Sequence, residues 1–273
     1  KVLQTANFAL DGGAMFGIIP KPLWQKTNPA DELNRVTLSA NCLLLEYDNK
    51  KILVDTGLGN KWEEKSKSIY NIEQNEIGII ETLKQYGITA EQITDVILTH
   101  LHFDHTGGST RIIDGKIIPT FTNAAYYIRK KNFNWAMSPS ERDRGSYIKD
   151  NFEPLAKEGV IKLLNDDEDF DDEISLINIH GHTFGQQLIK ISDSSDTILY
   201  CGDLLPFSSH IHLPYIMGYD LQPLVTLEEK KYILAKAADE NWQLIFEHDL
   251  LVKCATVKRT DKSFSIKEII EIK

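Results

Sequence analysis

VILTHLHFDHTGG, residues 96–108, places three histidines and an aspartate within six positions directly behind an apolar run. A solvated loop has no need of that density, and a packed interior does not tolerate such groups without partners. A bound metal satisfies both conditions. His100 and His102 are two apart, so at the end of an extended strand their rings point to the same side and can share one ion. Once the chain turns, Asp104 and His105 can face a second ion nearby, and Gly107 and Gly108 permit a tight turn beside the metals. Zinc is the ion that such nitrogen and oxygen donors most often select, and in catalytic sites it keeps a position open for water.

The same arrangement recurs along the chain. Short apolar runs rich in β-branched residues read as buried strands in KILVDTG, DVILTHLH, EISLINIHGH, DTILYCGD and WQLIFEHD. Each ends in aspartate or histidine or runs into one. The first 99 residues hold no histidine, and all eight lie at or after the end of one of the last four runs. In α/β sheets functional groups gather beyond the carboxyl ends of strands, where rigid strands hold converging loops. His182, Asp203 and His248 are therefore the candidates to complete a site begun by His100, His102, Asp104 and His105, and His180 is expected to orient a neighbour.

Helical periodicity covers residues 76–86, residues 123–135 and residues 227–239, the last with Thr226 and Glu229 spaced as a capping box. LEYDNKKILV reads as a hairpin turning at Asp48 and Asn49. Strands and hairpins followed by strand–helix alternation, in both halves, predict an α/β protein with two packed sheets and helices outside. Neither a short repeat nor a low-complexity linker divides the chain, so residues 1–273 are expected to form a single domain. The formal charge of −10 disfavours nucleic acid and anionic membrane as partners. With no apolar run near the length of a membrane span and no signal-like start, a cytoplasmic protein is expected. Cys42, Cys201 and Cys254 lack a CxxC spacing and read as small buried hydrophobes, and residues 165–173 (NDDEDFDDE) as a solvated loop. The apolar segment MFGIIPKPLW, residues 15–24, could join the core, cover the metal cleft or meet a second subunit in a homodimer; Phe16, Ile18 and Trp24 are its candidates for contact with a substrate chain.

THLHFDHTGG, GHTFGQ, CGD and EHD, in this order and preceded by VDTG at residues 54–57, resemble the motifs of the metallo-β-lactamase superfamily of hydrolases. The resemblance spans most of the chain and implies a four-layer αββα sandwich with a dinuclear site at one edge of the two sheets. Carried onto this sequence, it implies a first metal on His100, His102 and His182. The second would take Asp104, His105 and His248, with Asp203 bridging and Asp55 supporting the site from behind. DGGAMFGIIPKPLW and GDLLPFSSHIHLPYIMGYD are similar to the branch of quorum-quenching lactonases and methyl parathion hydrolase-like enzymes. One departure stands out: where the better-known lactonases carry a tyrosine three residues after the bridging aspartate, this chain has Pro206, leaving Tyr215, Tyr219, His210 or His212 as substitutes.

Two zinc ions, with manganese or iron(II) as alternatives, would share a water and lower its pKa, giving hydroxide for attack on an ester or lactone carbonyl. Asp104 or a water would protonate the leaving oxygen, so Asp104 and Asp203 are the catalytic candidates. The expected partner is a small-molecule ester or lactone. A phosphotriesterase or thioesterase could use the same site, and a non-catalytic metal-binding protein could keep the same fold. A β-lactamase would place cysteine where Asp203 stands, and a flavodiiron enzyme would place glutamate at His102.

Overall fold

The computed structural model describes residues 1–72 and 78–272 of the 273-residue chain. The chain forms two compact units, one of Lys1–Asn7 and Ala40–Asp167, the other of Phe8–Ser39 and the chain from Glu168 onward.

The first unit is built on β1 (Val2–Asp11), β2 (Arg35–Tyr47), β3 (Lys50–Val54), β4 (Asp95–Ile97), β5 (Thr110–Ile113), β6 (Lys116–Pro119), β7 (Ala125–Arg129) and β8 (Ile161–Leu164). The chain passes between the units inside β1 and inside β2. Six strands make one sheet in the order β1-β2-β3-β4-β7-β8, while β5 and β6 pair as a separate ribbon. β2 and β3 form the expected hairpin, turning at Asp48 and Asn49, with Asp48 at a φ of 49°. β3, β4, β7 and β8 are parallel neighbours. Their apolar residues, including Leu53, Val96, Tyr126 and Ile128, pack with Leu83, Phe121, Phe152 and Leu155 into one core. Burial of each such side chain favours the fold by about 1.5–3 kcal/mol.

The second unit holds β9 (Ile174–Ile179), β10 (Gln186–Ser192), β11 (Thr197–Tyr200), β12 (Gln243–Ile245), β13 (Cys254–Arg259) and β14 (Phe264–Ile269), in the order β14-β13-β12-β11-β10-β9. β10 runs against both β9 and β11, and β11 is parallel to β12. β9, β11 and β12 therefore run the same way and end at one edge of the sheet. The helix Pro223–Asp239 buries Ile233, Leu234 and Ala237 in a core with Leu188, Leu199, Leu244 and Phe246.

Two helical expectations need correction. Residues 125–129 are strand β7, and the helix begins only at Lys130 (Lys130–Met137). Tyr126 and Ile128 are buried while Ala125 and Tyr127 are half-buried, and the ladder to β4 and β8 decides the matter over local periodicity. The long helix starts at Pro223, a turn before the capping box, and Thr226 and Glu229 bond elsewhere. Of the helix expected over residues 76–86, Glu76 and Ile77 lie outside the described residues, and the remainder is observed as Ile79–Gln85. All three cysteines are free and buried, as expected. Among the described residues no helix is long and apolar enough to cross a membrane.

Candidate metal centre

In four places a strand ends and a histidine or aspartate able to hold a metal follows three residues later. His100 stands in that relation to Ile97 of β4, His182 to Ile179 of β9, Asp203 to Tyr200 of β11 and His248 to Ile245 of β12. Tyr200 and Ile245 are register partners in a parallel pair, so equal offsets bring Asp203 and His248 out together. For Asp203 and His248 the shared position follows from strand register.

In the first unit His100, His102, Asp104 and His105 are all buried and belong to groups able to hold an ion. His100 Nε2 lies 2.9 Å from His102 Nδ1. His105 Nε2 lies 3.8 Å from Asp104 Oδ1. Asp55, which follows β3 at a φ of 56°, supports both pairs from behind. Its carboxylate accepts from Thr99 N at 2.7 Å and Thr99 Oγ1 at 2.6 Å, and lies 3.0 Å from His105 Nδ1. With its one proton on Asp55, the Thr99 hydroxyl accepts from His100 Nδ1, 3.1 Å away. In neutral rings the lone pair is thereby fixed on Nε2 of both His100 and His105.

The second unit supplies a carboxylate between two imidazoles. Asp203 Oδ2 is 3.0 Å from His182 Nε2, and Asp203 Oδ1 is 3.0 Å from His248 Nε2. His182 Nδ1 is 2.8 Å from Asp220 Oδ1, and His248 Nδ1 is 2.8 Å from the Ser39 carbonyl. A carbonyl only accepts, so His248 donates from Nδ1, and a neutral ring then turns its Nε2 lone pair toward a carboxylate. Two acceptors at 3.0 Å repel unless a cation sits between them. At His182 burial pulls the imidazole's pKa down, but Asp203 and Asp220 outweigh it and push it up to about 10. In each unit the buried imidazoles thus turn nitrogen lone pairs or carboxylate-stabilised nitrogens to the same place, a donor set that suits transition-metal cations.

The turn behind the first histidines is held by backbone. Thr56 N donates to His105 O at 2.7 Å and Gly108 N to Gly57 O at 3.2 Å. A Cβ on Gly107 would lie 1.9 Å from Leu58 O and 2.2 Å from Leu58 C, atoms that cannot step aside as a side-chain tip can. Gly107→Ala is expected to destabilise the protein by about 3 kcal/mol or more, read from the denaturation midpoint of the metal-free protein; an unchanged midpoint would contradict this contact.

The remaining candidates separate by environment. His180 is half-buried, and its Nδ1 accepts from Gly185 N at 3.0 Å, closing the β9–β10 turn. His210 is buried, with Nε2 3.0 Å from the Met15 carbonyl and its ring 5.0 Å from Phe16. Burial and then the charge of Lys230 push its pKa down to about 3, so it stays neutral. His212 is exposed, Tyr215 half-buried and Tyr219 exposed, while the Pro206 carbonyl accepts from His248 N at 2.9 Å. Asp220, Thr99 and Ser39, which fix three ring orientations, were not singled out by sequence. Asp220 had a faint signal in its place behind the GY of IMGYD; a backbone carbonyl such as that of Ser39 has none.

Residues 35–240 match the model of the metallo-beta-lactamase superfamily. The chain is 25% identical over 222 residues to N-acyl homoserine lactonase AiiA of Bacillus thuringiensis subsp. kurstaki, covering 77% of this chain and 80% of that protein. It is 24% identical over 216 residues to cytochrome P450 monooxygenase mpaDE of Penicillium roqueforti (strain FM164), covering 71% of this chain. That match spans only 24% of the fungal protein's length. A crystal structure described as a "probable metal-dependent hydrolase" from Staphylococcus aureus superposes with a TM-score of 0.88 at 27% identity, covering 100% of this chain and 96% of that one. Since the family match takes in most of the chain and the two six-stranded sheets are those of the family's α/β fold, the chain belongs to the metallo-β-lactamase superfamily.

Proposed function

We propose that the protein is a dinuclear metal-dependent hydrolase, loaded with zinc, that opens a lactone or cleaves a carboxylic ester. The observation that carries this reading is Asp203, whose two oxygens each face a different histidine Nε2 at 3.0 Å. A carboxylate flanked in this way suits a bridge between two cations. In this proposal His100, His102 and His182 would hold the first ion, Asp104, His105 and His248 would hold the second, and Asp203 would serve both. When bound, the metal pair supplies an activated water and a Lewis acid for the scissile carbonyl.

The chain's own side chains do the rest. Asp55, Asp220 and the Ser39 carbonyl hold ring nitrogens so that His105, His182 and His248 present their Nε2 atoms. Asp104, buried beside His105, would take the proton that the attacking water releases and hand it to the leaving oxygen, a role that a water in the site could share. The similarity to a protein named as an N-acyl homoserine lactonase favours a lactone among small-molecule esters. The net charge of −10 agrees with a substrate other than nucleic acid, and a cytoplasmic location belongs to the same proposal.

The test is a hydrolysis panel with zinc-loaded protein: N-acyl homoserine lactones, aryl esters, thioesters, phosphotriesters and a β-lactam. Turnover of lactones or esters is expected, with loss on chelation and return on added zinc. The rate at limiting substrate should rise with pH toward neutrality, at about pH 7 as in other zinc hydrolases. A preference for phosphotriesters or thioesters, or turnover of none of the panel, would overturn the substrate assignment.

A further inference from the structure

The turn between β9 and β10, which presents His182, is gripped by the start of the long helix Pro223–Asp239. Glu229 Oε1 accepts from His180 N at 2.7 Å, and Glu229 Oε2 accepts from Gly181 N at 3.0 Å. Gln222 returns the contact: its Nε2 donates to His180 O at 3.0 Å and its backbone N–H to Gly181 O at 2.8 Å. Leu221 N donates to His182 O at 3.0 Å. Thr226 Oγ1 donates to Asp220 Oδ2 at 2.8 Å, and the other oxygen of Asp220 faces His182 Nδ1. The fit is close, since a Cβ on Gly181 would lie 2.3 Å from Thr226 Oγ1 and 2.4 Å from Thr226 N.

Glu229 is the one charged member of this grip that touches the backbone feeding His182. One carboxylate holding two consecutive amide N–H groups fixes the peptide plane between them, and charge-assisted bonds of this kind are the strong ones. That plane lies one residue before His182, and the next one is held through the Gly181 carbonyl by Gln222 N–H, so together they set where the imidazole begins. Asp220 then fixes where the ring ends. The helix does not need Glu229 for its own surface pairing, because Glu228 and Lys231 supply an exposed ion pair at 2.7 Å.

We propose that Glu229 is a positioning residue for the metal centre: by gripping the His180 and Gly181 amides it holds His182 in its ligating place and so tunes the affinity of the one metal position that His182 serves. This rests on the dinuclear proposal above. Preorganised ligands bind more tightly because the ordering cost is met in folding, and loss of such outer partners lowers metal affinity by about 10–100-fold.

The experiment measures zinc affinity of wild type, Glu229→Gln and Glu229→Ala by competition with a chromophoric chelator, alongside the melting temperature of each metal-free protein. Gln keeps one acceptor oxygen and Ala keeps none. Graded weakening of one of two zinc positions is expected, about tenfold or more for Ala and less for Gln, with the other position and the metal-free melting temperature little changed. Unaltered affinities would overturn the inference. Equal weakening of both positions together with a large fall in metal-free melting temperature would also overturn it, by making Glu229 a general structural residue. Should Glu229→Ala fail to fold, the Gln variant alone decides by the same criteria. Wild type that binds fewer than two zinc ions would instead refute the dinuclear proposal, so the two failures are distinguishable.

Discussion

Asp203→Ala is expected to lower kcat/KM by about three orders of magnitude, equivalent to about 4 kcal/mol of transition-state stabilisation, and to leave fewer than two zinc ions per chain. The size follows from position. Asp203 is buried, and it is the group through which His182 and His248 are related, each at 3.0 Å from one of its oxygens. Removing it takes a negative charge from between two histidines and should weaken both metal positions at once. His248→Ala, by contrast, removes one nitrogen and should weaken one position. Asp203→Asn separates charge from shape: the amide fills the same space, yet it offers one acceptor oxygen instead of two. Zinc content by elemental analysis, run on all three variants under one buffer, checks the assignment. An Asp203→Ala protein that retained two ions and wild-type turnover would refute the bridging role.

How much of this site could be read in the sequence depends on where each group gets its position. HLHFDH was legible as a dense local cluster behind an apolar run, although β4 ends at Ile97 and Asp104 and His105 lie in the helical turn Phe103–Thr106 rather than on strand alternation. His182, Asp203 and His248 were legible through the same rule, since each sits three residues past a strand that apolar β-branched runs announce. The groups that orient them were not, because they come from distant chain segments. Ser39 and His248 are 209 residues apart in sequence and Asp220 and His182 are 38 apart, and no spacing rule joins them. Strand β7 was lost for a related reason. AYYIR is short, and its parallel neighbours β4 and β8 lie far along the chain, so the adjacent helical run KKNFNWAM dominated the local pattern. The Asp114–Gly115 turn between β5 and β6 is a different case. An Asp-Gly pair between isoleucine runs is a strong local hairpin signal, and the β5–β6 ribbon forms around it.

The segment at residues 15–24 shows what sequence leaves open and packing decides. Its large apolar side chains were equally compatible with core, cover or interface, yet within the second unit they divide. Met15, Phe16 and Trp24 are buried, whereas Ile18 is 91% exposed and Leu23 51%. Trp24 stacks on Phe16 with ring centroids 5.1 Å apart and planes within 6°. Phe16 in turn stacks on Phe207 at 6.0 Å and meets Tyr215 edge-on at 5.8 Å. Gly12 is pressed so close that a Cβ there would lie 2.4 Å from the Trp24 ring. Trp24→Ala therefore empties a packed aromatic stack, and the expected cost is about 3–5 kcal/mol. For a chain of this size that lowers the melting temperature by roughly 10 °C. Because the indole is enclosed, the mutation should reduce turnover of short-chain and long-chain lactones by the same factor. Ile18→Ser, at an exposed position, should leave the melting temperature nearly unchanged. A Trp24→Ala protein that melted like wild type but lost affinity only for long acyl chains would show that the indole serves as a substrate wall, contrary to its burial beside Phe16.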